Sequence, residues 1–182
     1  MRTEPLYALD SSIKEFNTHV LAVEGDEVAL RETAFFPGGG GQPHDRGTLS
    51  LDGREWQVVA VHKSADVIWH KLQGEGMPPV DEMVWGRLDW ERRYLLMRTH
   101  TALHILSAIA YQDYGATVTG GNMEPGEGRL DFEIAEFSPA VAEGMIRRAN
   151  QEVARDRQVK VYTLPREEAL ALPDLIRTKT NL

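Results

Sequence analysis

The sequence predicts an α+β protein in two parts: a small β-barrel-like domain over residues 1–88, then an α+β domain over residues 89–182 built on a long central helix. Three observations carry this. Between residues 13 and 88, about six short segments alternate apolar and polar side chains and are separated by turn residues, the spacing of a small barrel or sandwich. At Asp89 the apolar period changes from two to 3.6. From Asp89 onward neither Pro nor Gly occurs until Gly115, which leaves room for the longest helix in the chain.

In chain order, residues 13–34 form a hairpin. Phe16, Thr18, Val20 and Ala22 occupy alternate positions, Glu24-Gly25-Asp26 turns the chain, and Val28 and Leu30 resume the pattern. Phe35 to Asp45 contains Gly38-Gly39-Gly40-Gly41, which cannot hold a strand or a helix and reads as a loop able to approach another molecule closely. Gly47–Leu51 and Glu55–Lys63 are strands joined at Asp52-Gly53, a strong two-residue hairpin signal. Val67–Leu72 and Met83–Leu88 are further strands, with a loop at Gly74–Pro79 between them. Asp89 is a suitable N-cap for the long helix, because its carboxylate can accept a first-turn N–H, and Gly115 sits where a C-terminal glycine belongs. Thr117–Asn122 and Arg129–Ile134 are strand-like, Ser138 caps a helix over Pro139–Arg157, and Val159–Leu164 is a strand. Pro165-Arg166-Glu167-Glu168-Ala169 opens a short helix that stops before Pro173.

A composition of 42% hydrophobic and 26% charged residues is that of a soluble globular protein. No apolar run is long enough to span a membrane and no signal core follows Met1, so a cytoplasmic location is the default expectation. The absence of cysteine removes disulfides, thiolate nucleophiles and thiolate metal ligands. Net charge is −8, and it is unevenly spread: residues 1–90 hold 8 basic against 15 acidic residues, residues 91–182 hold 12 against 13. The total argues against a nucleic-acid binder, while local basic clusters leave that reading open. Arg92, Arg93, Arg98 and the group Arg147, Arg148, Arg155, Arg157 and Lys160 read as solvated helix faces paired with nearby Glu.

His100 and His104 are the main chemical candidates. Four residues apart on a helix, they lie one above the other and offer two imidazoles to one metal ion, half of a tetrahedral zinc site. The helix of zinc proteases carries Glu directly after its first histidine as general base; here that position is Thr101, which excludes the protease reading. The alternative is a pair of ordinary half-buried histidines. Asp131 and Glu133 are possible further ligands, and no histidine follows His104. The glycine run could bind phosphate through backbone N–H groups, but it lacks the Lys-Ser/Thr ending of a phosphate loop. Trp56, Trp69, Trp85, Phe35 and Phe36 read as core residues rather than base-stacking platforms.

Four stretches in order resemble one family. Arg98-Thr99-His100-Thr101-Ala102-Leu103-His104 is similar to the His-Thr-Ala-x-His signature of alanyl-tRNA editing proteins and of the editing domain of alanyl-tRNA synthetase. Phe36-Pro37-Gly38-Gly39-Gly40-Gly41-Gln42 resembles the aromatic-Pro-x-Gly-Gly-Gly-Gln loop of the longer members. Arg129-Leu130-Asp131-Phe132 looks like the family's Arg-x-Asp-Phe strand, and Pro165-Arg166-Glu167-Glu168-Ala169 like the start of its late helix. The resemblance covers nearly all of residues 30–172.

The resemblance implies a free-standing editing protein whose second part is an aminoacyl-tRNA editing domain, incomplete at its C-terminus. It implies that His100 and His104 bind Zn2+, and that the partner is the acceptor end of tRNA for alanine, wrongly esterified with serine or glycine. The implied reaction is hydrolysis of that ester at the 3′-terminal adenosine, zinc either polarising a water or holding the amino group. Gly39, Gly40, Gly41 and Gln42 would lie near the terminal nucleotide, with Arg98 a further contact. Thr117 or Thr119 would meet the serine hydroxyl, so that correct alanine leaves buried polar groups unpaired; the position where the family often carries Thr falls near Gly121. The family completes its zinc site with Cys-x-x-x-His or a variant beyond the late helix. No Cys and no later His occurs here, so the expectation is that the protein continues past Leu182. Two other classes stay open: a non-catalytic tRNA-binding module of the same fold, and a metallohydrolase of a small ester or amide.

Overall fold

The computed structural model describes residues 1–161 and 163–172. The chain divides into two compact units, one over Met1–Met97 with Glu124–Gly126, the other over Arg98–Met123 and from Glu127 onward.

The first unit begins with β1 (Glu4–Pro5) and the single-turn helix α1 (Leu6–Leu9), then β2 (Glu15–Glu24), β3 (Glu27–Leu30), β4 (Glu32–Thr33), β5 (Gly47–Leu51), β6 (Arg54–Ser64), β7 (Val67–Gln73) and β8 (Met83–Leu88). Six of these close into an antiparallel barrel in the order β2-β3-β7-β6-β5-β8, completed by pairing of β8 with both β2 and β5. Closure leaves none of the six as an unpaired edge. The alternation read from the sequence is realised in β8, where Val84 and Leu88 are buried while Met83, Trp85 and Arg87 face out. Inward residues such as Val20, Val28, Leu49, Trp56 and Val84 form the core.

Two features of this unit escaped the sequence reading. β1 pairs in parallel with β4, and the buried Thr3 hydroxyl donates to the Leu30 carbonyl. The aromatic residues also divide. Trp56 and Phe35 are fully buried and Trp69 is 9% exposed, but Trp85 is 42% exposed because its place in the β8 alternation points outward. Trp85 is therefore not a core residue.

α2 spans Trp90–Tyr114. Asp89 caps it, its Oδ1 accepting from the Arg92 N–H at 3.1 Å. At the other end the Gly115 N–H donates to Tyr111 O and the Ala116 N–H to Ala110 O, with Gly115 at φ 63°. That pair of bonds closes a helix through a left-handed residue, which glycine adopts without a Cβ penalty. The first eight residues of α2 belong to the barrel unit and the remainder to the second.

The second unit continues with the two-stranded pair β9 (Val118–Glu124) and β10 (Glu127–Phe132), helix α3 (Pro139–Ala154) and the short α4 (Arg166–Ala171). Its small core joins Ile109, Ala110, Ala116 and Met145, with Ile105, Phe132 and Val141 packed against them. The Ser138 hydroxyl caps α3 by accepting from the Val141 N–H. α3 ends three residues before Arg157. Asp156 takes a positive φ, and Arg155 and Arg157 both turn back onto the Glu152 carboxylate. The strand expected at Val159–Leu164 is absent among the described residues of that stretch. Among the described residues no strand pairs with them, and Val159 and Val161 are exposed. Residues beyond Leu172 lie outside the described residues. No described helix is long and apolar enough to cross a membrane.

Candidate functional site

Two groups of candidate residues are built by separate parts of the chain. The first is the pair on α2. The helical rise over four residues brings the His104 Nε2 within 3.0 Å of the His100 Nε2, with the ring planes 18° from parallel. His100 is half-buried and His104 exposed. Burial, with the neighbouring His104 adding to it, pushes the His100 imidazole below its ordinary value, so its neutral form and free lone pair are favoured.

The separation bears on metal binding. Two nitrogens at the ~2.0–2.1 Å zinc–imidazole distance on a tetrahedron stand about 3.3–3.4 Å apart. The observed 3.0 Å is close to that edge, so a small opening of the pair admits the ion. The residues therefore fit half of a tetrahedral site. Among the described residues no three His, Cys, Asp or Glu side chains come together. Asp131 does not join the histidines: Arg129 holds it through a two-pronged fork at 2.9 and 2.7 Å and keeps its carboxyl below the usual carboxylate range. Glu133 does not join them either.

Other candidates of the second unit take distinct places. Thr117 is half-buried just before β9, where its carbonyl accepts from the Glu133 N–H. Thr119 is exposed, and its hydroxyl donates to the Asp131 carbonyl at 3.2 Å. Gly121 cannot host the threonine the resemblance implies without a shift of the hairpin, since a Cβ there would sit 2.8 Å from the Arg129 carbonyl oxygen. Arg98 is exposed on α2, two residues before His100 and so about 200° around the helix from it. A cavity of about 550 Å³ lies between α2 and α3, lined by Thr101, Ile105, Arg148 and Glu152 among others. Neither His100 nor His104 lines it.

The second group is the glycine-rich loop of the barrel unit. Gly39 and Gln42 exchange two backbone bonds, N–H to O at 2.9 and 3.0 Å, which makes Gly40-Gly41 a two-residue turn. Both turn residues have positive φ, 59° and 84°, and Gly39 stands at 134°. The 134° at Gly39 is open in practice only to glycine, and the two turn angles favour it. Open space surrounds the backbone at Gly39 and Gly40, where an added Cβ would meet no atom within 4 Å. The tip is a compact, exposed backbone surface rather than a slack linker.

The sequence reading missed what holds this loop. Its ends are tied by the Asp45 N–H to Phe36 O (2.9 Å) and by the Phe36 N–H to Asp45 Oδ2 (2.7 Å). Asp45 is paired with Arg93 of α2, and the two are 1% and 3% exposed. Arg93 is thus no part of a solvated basic face. A buried arginine in a run of charged helix residues gives no local signal, because its partner lies 48 positions away.

The family model of class II (A) tRNA synthetases matches residues 4–92. The chain is 42% identical over 177 residues to the alanyl-tRNA editing protein AlaX-M of Saccharolobus solfataricus, covering 96% of this chain and 74% of that protein. It is 37% identical over 175 residues to the AlaX-M protein of Methanosarcina mazei, 92% of this chain and 70% of the other. Against the alanine–tRNA ligase of Pyrococcus abyssi it is 39% identical over 170 residues, 92% of this chain but 19% of the ligase.

Proposed function

Because this chain belongs to the alanyl-tRNA editing family, it is an aminoacyl-tRNA deacylase, and we propose that it acts in trans on tRNA for alanine mischarged with serine or glycine, using zinc bound by His100 and His104. The observation that carries the metal part of this reading is the convergence of the two Nε2 atoms at 3.0 Å on one helix. A zinc ion there would supply Lewis-acid chemistry, polarising a water or fixing the amino group of the esterified amino acid. Completion of its coordination falls to a residue outside those described, to water or to substrate.

In this reading residues 89–182 are the editing domain and residues 1–88 its N-terminal companion. The tip Gly39-Gly40-Gly41 offers close backbone approach to the 3′-terminal nucleotide, and the Gln42 amide can donate and accept toward it. Arg98, on another face of α2, serves a phosphate of the acceptor end. Of the two threonines, Thr117 is the better candidate for the serine hydroxyl, because the Thr119 hydroxyl is engaged with the Asp131 carbonyl. A pocket that must hydrogen-bond a hydroxyl disfavours alanine, whose methyl leaves the polar group unpaired. The location consistent with this role is cytoplasmic.

The test is hydrolysis of seryl-, glycyl- and alanyl-tRNA for alanine by the purified protein, beside zinc analysis. The expected result is release of serine or glycine well ahead of alanine, lost with bound zinc in the double substitution His100→Ala, His104→Ala. Zinc-free protein that binds tRNA but hydrolyses none of the three would leave only a binding module.

A further inference from the structure

The glycine loop presents an open tip on a tightly bound base. At the base, the guanidinium of Arg93 does more than pair with one carboxylate. Its Nε donates to both Asp45 oxygens at 3.0 Å. Its Nη2 donates to Asp45 Oδ2 and to the Ala34 carbonyl, and its Nη1 to the Ser11 carbonyl at 3.0 Å. One side chain therefore joins the entry to the loop, its exit and the segment before β2. Arg92 adds a bond from Nη2 to the His44 carbonyl, and His44 Nδ1–H donates to the Asp45 carbonyl. Burying two charges is costly, and apolar residues of similar volume commonly stabilise a fold as well or better. What a planar fork supplies that apolar residues cannot is fixed direction.

We propose that the buried Arg93–Asp45 pair is the positioning device of the substrate loop: it fixes the plane of the Gly39–Gln42 turn so that the tip engages the terminal nucleotide. This rests on the reading of that loop given above. Arg93 and Asp45 touch no substrate and act through the turn. A shift of the turn by about an ångström is enough to cost a large part of catalysis, on the order of 10²-fold in the limit.

The experiment is a double-substitution cycle on the full chain, Arg93→Lys with Gln42→Ala, reading kcat/KM for deacylation and melting temperature together. Lys keeps the charge and removes the fork. The expected result is a fall of about tenfold or more for Arg93→Lys alone, shrinking to less than about twofold in the Gln42→Ala background, because both then remove the same loop contact. An equal fall in both backgrounds, or none in either, overturns the positioning role. Unchanged kcat/KM for Gln42→Ala alone overturns the reading of the loop itself, a separate result. Asp45→Asn, which keeps the side-chain shape and an acceptor for the Phe36 N–H, replaces Arg93→Lys should that variant fail to fold. In the unmodified protein the Phe36 and Asp45 amides are expected to exchange as slowly as those of the barrel strands; fast exchange overturns the proposal without any substitution.

Discussion

Acid should weaken the barrel unit through one buried histidine. His70 on β7 is fully buried. Its Nδ1–H donates to the Val28 carbonyl at 3.2 Å, since a carbonyl can only accept. That fixes Nε2 as the bare nitrogen, 2.8 Å from the Thr33 hydroxyl, which donates to it while accepting from the Phe35 N–H at 3.1 Å. A second proton, on Nε2, would make the Thr33 hydroxyl accept instead of donate and send its own hydrogen elsewhere, and Phe35 packs edge-on against the imidazole. Desolvation lowers the His70 pKa to about 4, the Val28 carbonyl opposing and the charge of His62 adding. The sign follows. Between about 4 and 6.5 the unfolded chain binds the proton and the folded chain does not, so stability rises with pH and is lost as pH falls through that window. At ~1.4 kcal/mol per pH unit, the loss is about 3 kcal/mol by pH 4 and roughly 2 kcal/mol by pH 5. That is a large share of an ordinary domain's total. The assay is urea denaturation of the parent and of His70→Gln from pH 7.5 to 4.5, taking the difference so that the carboxylates cancel. The parent curve should drop below the variant's by this amount relative to pH 7.5. Parallel curves would refute the reasoning. So would an NMR titration of the His70 ring with a midpoint near 6.5, a measurement that does not depend on the variant folding.

The remaining predictions are local. His104→Ala should lower zinc affinity and deacylation by a factor of about 100 or more while leaving the melting temperature within a few degrees, because His104 is exposed; metal titration and single-turnover hydrolysis read it. Gly41→Ala should cost about 1 kcal/mol from its positive φ, seen as a lower denaturation midpoint. Gly121→Thr should destabilise the β9–β10 pair by about 1–3 kcal/mol, since the obstacle is the Arg129 backbone, and circular dichroism melts would show it. Ser138→Ala should cost about 1 kcal/mol through loss of the α3 cap, measurable by urea denaturation.

Much of this protein is local physics, which a sequence displays directly. Alternation in Met83–Leu88 specifies which face is buried, because side chains on a strand leave it on opposite sides. Asp89 and Gly115 bracket α2 because caps act within one turn. The spacing of His100 and His104 puts both on one face of one continuous helix, while the 3.0 Å meeting of their Nε2 atoms is set by the rotamers of the folded chain. The glycine run announces a turn that needs positive φ, though not which two glycines form it. What sequence could not display depends on partners far along the chain. Closure of the barrel requires β8 to pair with β2 and β5, strands from distant parts of the sequence. Trp56 and Trp85 look alike in alternating strands, yet one is buried and one exposed, because the inner face is decided only when the sheet closes. Arg93 and Arg92 are adjacent and chemically identical. The carboxylate of Asp45, 48 residues before Arg93, makes Arg93 a buried clamp on the glycine loop, and only the folded backbone brings the two together.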